Sequence, residues 1–299
     1  MSTLAIAGLQ LQLDHGDNIE AITEELRSLK RRFPWIDMAV VGELAAFGPR
    51  LDFAEPMPGP SEARFCEVAR ELGLWLLPGS LYEKSGGQIY NTTPVINPDG
   101  EVIARYRKIY PFLPYEQGVA AGNQCVVFDV PGKGRCGVSI CYDMWFPETT
   151  RTLAWMGADV ILHPVMTNTI DRDVELSMAR ASAAMNQCYV FDINVAGRLG
   201  YGRSLVAGPG GEVIHQAGAE REIIPVIVDF EYVRRVRESG WHGLGQVLKS
   251  FRDGGHAFPP YAEGAASAAF NRLGPLKKPG PETAPRSAPE ISSQRKRGD

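Results

Sequence analysis

The chain has no apolar run approaching the roughly 18 consecutive residues a membrane helix needs, no paired-cysteine pattern and no excess of basic residues. Each absence excludes a class of protein. The opening stretch "MSTLAIAGLQLQLDHG" has no basic leader, and Gln10 and Gln12 interrupt its apolar run, so neither a signal peptide nor a membrane anchor is expected. The five cysteines (Cys66, Cys125, Cys136, Cys141 and Cys188) are odd in number and scattered. That is not a disulfide framework, so reduced thiols and a cytoplasmic location are expected. A formal net charge of −4 offers no basic face to nucleic acid or to a membrane surface, which leaves a small molecule as the expected partner. None of the five histidines stands at metal-ligand spacing from a cysteine. Cys136 and Cys141, five apart in one extended run, point to opposite faces, so no metal is expected.

What is present is an α/β pattern. "TLAIAGLQLQ", "MAVVGE" and "LWLLPGS" read as strands, while "NIEAITEELRSLKRR" and "SEARFCEVARELG" between them have helical periodicity, so helices covering a sheet are expected. Two hairpin signals, "VINPDGEVIARYRK" and "LVAGPGGEVIHQ", share Pro-x-Gly-Glu-Val-Ile at an offset of 111 residues. "DMAVVGE" and "DVILHPV" pair off at a similar offset, as do "GLWLLPGSLYE" and "QCYVFDINVAG". Two similar αβ layers stacked sheet to sheet would explain this; the alternative is that any α/β chain repeats such words. From residue 252 the composition changes. Residues 271–299 hold five prolines and seven Lys/Arg against three acids, a stretch that builds no core of its own and suits either disorder or an arm laid over a partner subunit.

Three residues stand out chemically. In "GRCGVSICYDMWFPE", Cys141 ends an apolar strand-like run just before Pro147, which suits the first position of the helix "PETTRTLAWMG". Backbone amides and a helix start favour a thiolate there; the alternative is a buried structural thiol. Glu43 terminates "MAVVGE", a place for an acid presented to a site or, alternatively, for a helix cap. Lys108 ends the second strand of the first hairpin, where a solvated edge charge is the alternative. His163 lies at a strand end and reads equally well as a satisfied core histidine.

Together, Glu43 after a buried strand, Lys108 after "NPDGEVIARYRK" and Cys141 in "GVSICYDMWFPE" resemble the nitrilase, or carbon-nitrogen hydrolase, superfamily, over roughly residues 4–240. The resemblance implies a four-layer α-β-β-α sandwich of two pseudo-symmetric halves, with a hydrolase domain over 1–251 and an extension over 252–299. It implies Glu43 as general base, Lys108 as the cation facing the tetrahedral intermediate and Cys141 as nucleophile. Glu116 in "FLPYEQG" matches a supporting carboxylate, and the Tyr142 backbone N–H would complete an oxyanion hole. Pocket candidates are Tyr115, Trp145, Met166, Thr167 and Asn168. No cofactor is required, and a homodimer or larger homo-oligomer is implied. "CYDMWFPE" is more similar to the amidase and carbamoylase branches than to true nitrilases. The expected reaction is cleavage of a small linear amide to acid and ammonia through a cysteine thioester. N-carbamoyl amines, nitriles and acyl transfer from the same thioester stay open as alternatives.

Overall fold

The computed structural model describes residues 2–278. Helices and strands alternate as the hydrophobic periodicities require, and each half contains the run strand, helix, strand, helix, strand and, after it, a hairpin. The first half runs β1 (Thr3–Gln10), α1 (Ile19–Arg32), β2 (Met38–Val41), α2 (Pro60–Leu72), β3 (Trp75–Leu77), β4 (Leu81–Ser85), β5 (Gln88–Ile96) and β6 (Val102–Arg107). The second runs β7 (Val126–Val130), β8 (Gly134–Val138), α3 (Pro147–Trp155), β9 (Val160–Val165), α4 (Arg172–Asn186), β10 (Tyr189–Asn194), β11 (Leu205–Ala207) and β12 (Val213–Gln216). A last strand, β13 (Glu222–Asp229), returns to the first sheet, and helices α5 (Phe230–Ser239) and α6 (Val247–Asp253) follow.

Strand pairing makes the repeat explicit. In the first sheet β1, β2 and β3 are parallel, β3 meets β5 antiparallel, β5 pairs with β6, and β13 flanks β1 antiparallel. In the second, β8, β9 and β10 are parallel, β10 meets β11 antiparallel, β11 pairs with β12, and β7 flanks β8 antiparallel. Both hairpins carry a register shift at corresponding places, between Val95 and Ile96 and between Val206 and Ala207. The two signals at the 111-residue offset therefore encode the same bulged hairpin.

Side-chain alternation along the strands builds the four layers. Leu4, Ile6, Met38 and Val40 of the first sheet and Val138, Val160, Leu162, Phe191 and Ile193 of the second share one core, the dry space between the sheets. The intervening Ala5, Ala7, Ala39 and Val41 turn the other way, onto Ile22, Leu26, Leu29, Phe65 and Val68 of α1 and α2. Ile161, Val190 and Leu205 turn likewise onto Leu153, Leu176, Ala179 and Ala183 of α3 and α4. The result is the expected α-β-β-α sandwich.

Two local expectations differ. The strand read through Cys141 stops at Val138, and a single 3-10 turn, Cys141–Trp145, begins at the cysteine. His163 lies inside β9 rather than at its end, because the hydrogen-bonded ladder with β10 continues to Val165.

Residues 2–111 and 118–257 make one compact unit, and residues 112–117 group with residues 258–278 in another. In the second unit the N–H groups of Tyr115 and Glu116 donate to the Phe112 carbonyl at 2.8 and 2.9 Å, and single 3-10 turns occur at Pro259–Tyr261 and Phe270–Arg272. The boundary expected at 251/252 falls within α6. The arm expected over 252–299 lies, for residues 279–299, outside the described residues.

Candidate active site

The site forms where strand ends of the two sheets meet. Gly42 and Glu43 directly follow β2, and the Glu43 N–H donates to the Val165 carbonyl at the end of β9, 3.1 Å away, so the two sheets are pinned together at this point. Gly79 is needed beside it, since a side-chain carbon there would collide with the Gly42 carbonyl. Glu43 is buried. Its Oε1 accepts from Lys108 Nζ at 2.8 Å and from Asn91 Nδ2 at 2.8 Å, and its Oε2 accepts from the Met166 N–H at 3.1 Å. Lys108 is equally buried, just past β6, with its N–H on the Asn91 carbonyl at 2.8 Å. A carboxylate and an ammonium withdrawn from water survive only when paired and hydrogen-bonded. That condition is met here, and the sheet-edge and helix-cap alternatives for these residues do not hold.

Cys141 opens its turn with φ of 45°, a left-handed conformation uncommon for a residue with a side chain. Leu44, next to Glu43, shares it with φ of 48°. Left-handed non-glycine residues persist where the surroundings dictate them, and they cluster at functional sites. Here the surroundings are Asp143. It is fully buried, and its carboxylate accepts from the Ile140 N–H at 2.9 Å, the Tyr110 N–H at 2.8 Å and the Tyr106 hydroxyl at 2.6 Å. One side chain thus holds the start of the Cys141 turn and ties it to β6 and the residues that follow it. Burial pushes the Asp143 carboxyl up, against the pull of those hydrogen bonds, and pushes the Tyr106 hydroxyl well up.

The Cys141 residue is half-buried, with its sulfur 3.8 Å from Thr167 Oγ1. Burial, and after it the Glu43 carboxylate, hold the thiol well above its ordinary range; Lys108 and the Met166 N–H pull the other way. At neutral pH the resting sulfur is therefore a thiol, with a buried base at hand.

On the helix side of the second sheet, beneath Cys141, lies a polar layer. Thr167 Oγ1 donates to Glu175 Oε1 at 3.0 Å, Glu175 Oε2 accepts from Arg172 Nη1 at 3.1 Å, and Arg172 is ion-paired with Asp192. All four are buried. His163, also buried, meets Ser139 Oγ through Nδ1 at 2.7 Å, and burial lowers its pKa to about 4.

Of the pocket candidates, the Thr167 hydroxyl reaches the sulfur. Met166 uses its backbone N–H and sends its side chain into the apolar cluster of Leu44, Ala54 and Tyr82. Asn168 is exposed, and Trp145, half-exposed, lies 6.1 Å from the Tyr142 ring. Glu116 and Tyr115 belong to the 112–117 segment. There Glu116 Oε2 accepts from the Phe112 N–H at 2.6 Å, and Tyr115 stacks on Phe112 at 4.9 Å. Asn91, Asp143 and Glu175 escaped sequence reasoning as site residues. Asp143 had a signal, an acid two residues beyond a nucleophile candidate; Asn91 and Glu175 had none, being brought in by strand pairing and helix packing. Among the described residues, no three His, Cys, Asp or Glu side chains gather as a metal site.

A four-layer sandwich with a buried Glu–Lys pair beside a turn-borne cysteine defines a narrow class, and comparison with known proteins agrees with it. The carbon-nitrogen hydrolase family model matches residues 3–238, and the chain belongs to that family, within the nitrilase superfamily. It is 32% identical over 202 residues to omega-amidase NIT2 of Xenopus tropicalis, covering 62% of this chain and 73% of the relative. The solved structure of Saccharomyces cerevisiae Nit3, a member of branch 10 of the superfamily, superposes with a TM-score of 0.73 at 27% identity, covering 79% of this chain and 94% of Nit3. A cysteine-to-alanine mutant of the amidase from Nesterenkonia sp. AN1, solved in complex with butyramide, has the same fold, with a TM-score of 0.67 at 24% identity and coverage of 79% and 94%.

Proposed function

We propose that this hydrolase cleaves the C–N bond of a small linear amide, giving a carboxylic acid and ammonia through a thioester on Cys141. One observation carries the reading: a buried Glu43–Lys108 pair, 2.8 Å apart, acts on the Cys141 thiol, which stands at the head of a turn in left-handed conformation. An unactivated amide is a poor electrophile, so the sulfur must lose its proton as it attacks. Glu43 takes that proton, the sulfur bonds to the carbonyl carbon, and the C=O electron pair moves onto oxygen. Lys108 Nζ and the Tyr142 N–H receive the oxyanion; removal of one such donor typically costs about 100-fold or more. Collapse breaks the C–N bond, and Glu43 returns its proton to the departing nitrogen. Water, deprotonated by Glu43, then opens the thioester and restores the thiol.

The amide class is supported by the omega-amidase name of the relatives and by the butyramide bound to the Nesterenkonia enzyme. The test is ammonium release from a panel of short aliphatic amides, ω-amides, carbamoyl amines and nitriles, with intact mass of the protein during turnover. Ammonium from amides and a Cys141 acyl adduct are expected; turnover of nitriles alone, or wild-type turnover by Cys141→Ala, overturns the reading.

A further inference from the structure

Thr167 is held in every direction the chain allows. Its N–H donates to Asn194 Oδ1 at 2.9 Å, and its carbonyl accepts from Asn194 Nδ2 at 3.0 Å and from the Tyr201 N–H at 2.9 Å. Its hydroxyl donates to Glu175 Oε1, and Glu175 is itself held by Arg172, which also pairs with Asp192 and donates to the Arg203 carbonyl at 2.9 Å. A hydroxyl has one proton to give. With that proton committed to the Glu175 carboxyl oxygen that Arg172 holds in place, the Thr167 oxygen turns its lone pairs toward the space beside Cys141 Sγ, 3.8 Å away.

We propose that Glu175 and Arg172 make Thr167 a one-directional acceptor beside the nucleophile, which selects substrates bearing N–H on the scissile carbon. The inference rests on the reading of Cys141 as nucleophile. A carboxamide seated on the sulfur points its oxygen to donors and its nitrogen away from them. An acceptor on the nitrogen side pairs with the N–H of the amide and with the ammonia that leaves, whereas the bridging oxygen of an ester brings lone pairs against lone pairs. A site built to meet a polar hydrogen rejects an analogue lacking it more strongly than an apolar wall does. Thr167 touches substrate; Glu175 and Arg172 are positioning residues that act through it.

The test uses the full chain and a matched pair of acyl donors, butyramide and p-nitrophenyl butyrate. Thr167→Val, which keeps the shape and loses the oxygen, is expected to lower kcat/KM for butyramide at least about tenfold and for the ester less than about threefold. Thr167→Ser is expected to restore the amide value to within about threefold, and Glu175→Gln to shift the amide-to-ester ratio in the direction of Thr167→Val. Equal losses on both donors, or no rescue by serine, overturn the proposal and assign Thr167 to the scaffold. If Thr167→Val fails to fold by circular dichroism, the Thr167→Ser and Glu175→Gln ratios decide: both unchanged overturns it. Failure of the underlying reading shows differently, as Cys141→Ala that still releases ammonium at the wild-type rate.

Discussion

The two halves of this protein share one frame and differ in what they place on it. Register equates β1, β2 and β3 with β8, β9 and β10, so Ile6 corresponds to Cys136, Met38 to Val160 and Trp75 to Tyr189. On that scale Cys141 corresponds to Leu11 and Glu43 to Val165, while the hairpin offset carries Lys108 to Ala219. Each of these three positions has an apolar counterpart in the other half. The layers under the helices differ in the same way. In the first half Leu9 and Val41 continue an apolar core, whereas the equivalent Ser139 and His163 of the second half sit in the polar layer with Asp192, Arg172 and Glu175. A duplicated scaffold thus yields one site, because strand ends of both halves converge on one point and each half supplies different groups: acid and cation from the first, thiol and its polar footing from the second.

The largest effect expected comes from removing the thiol. Cys141→Ala should lower kcat on the best amide by about 10⁴-fold or more, as deleting a covalent nucleophile does elsewhere. It should leave the fold intact, since burial of the sulfur contributes little beside the inter-sheet core. Ammonium release and a thermal melt of the same sample check both halves of the statement.

Next is the first half's ion pair. Lys108→Met strands a buried carboxylate, a loss on the order of 3–5 kcal/mol of stability. The double variant Glu43→Gln/Lys108→Met removes the stranded charge and should regain stability by urea unfolding without regaining activity. A double variant less stable than Lys108→Met would show that the pair is not coupled as its 2.8 Å contact implies.

The second half's polar layer makes a pH prediction. Burial lowers the His163 pKa from 6.5 to about 4. Between those values the unfolded chain binds a proton that the folded chain does not, so stability from this residue is present above pH 6.5 and is lost as pH falls toward 4. The drop is roughly 3 kcal/mol across that window. In His163→Leu, urea-unfolding free energies should lack this part of the acid slope. Parallel curves for variant and wild type between pH 6.5 and 4 would refute it.

The same contrast explains what could be read in the sequence. Helices α1, α2 and α3 and the two hairpins were legible because apolar periodicity, a helix-starting proline and turn residues are local signals. Glu43, Lys108 and Cys141 were legible because each breaks its local pattern: an acid at the end of a buried strand, a lysine where a hairpin closes, a cysteine ahead of a helix-starting proline. Glu175 was not, since it looks like any acid in a helix's first turn until α4 is laid across β10. Asn91 looks like an ordinary polar residue in a strand until β5 carries it beside Glu43. The strand before Cys141 stops short of its alternating pattern for a related reason. Cys136, Val138 and Ile140 do alternate into the inter-sheet core, but the ladder ends at Val138 because Asp143 captures the Ile140 N–H.

Asp143 offers the finest cut between the halves, because its counterpart by register is the buried Leu13. A carboxylate is needed only where a turn has to be held open for chemistry. Asp143→Asn keeps the shape but turns one acceptor into a donor facing the Ile140 or Tyr110 N–H or the Tyr106 hydroxyl, so one buried hydrogen bond is lost. The expected cost is about 1–3 kcal/mol in urea unfolding. Because the turn that aims Cys141 loosens while Glu43 and Lys108 stay in place, kcat should fall by more than KM rises. If KM alone changes, Asp143 shapes the pocket and not the nucleophile, and the strained turn at Cys141 has another support.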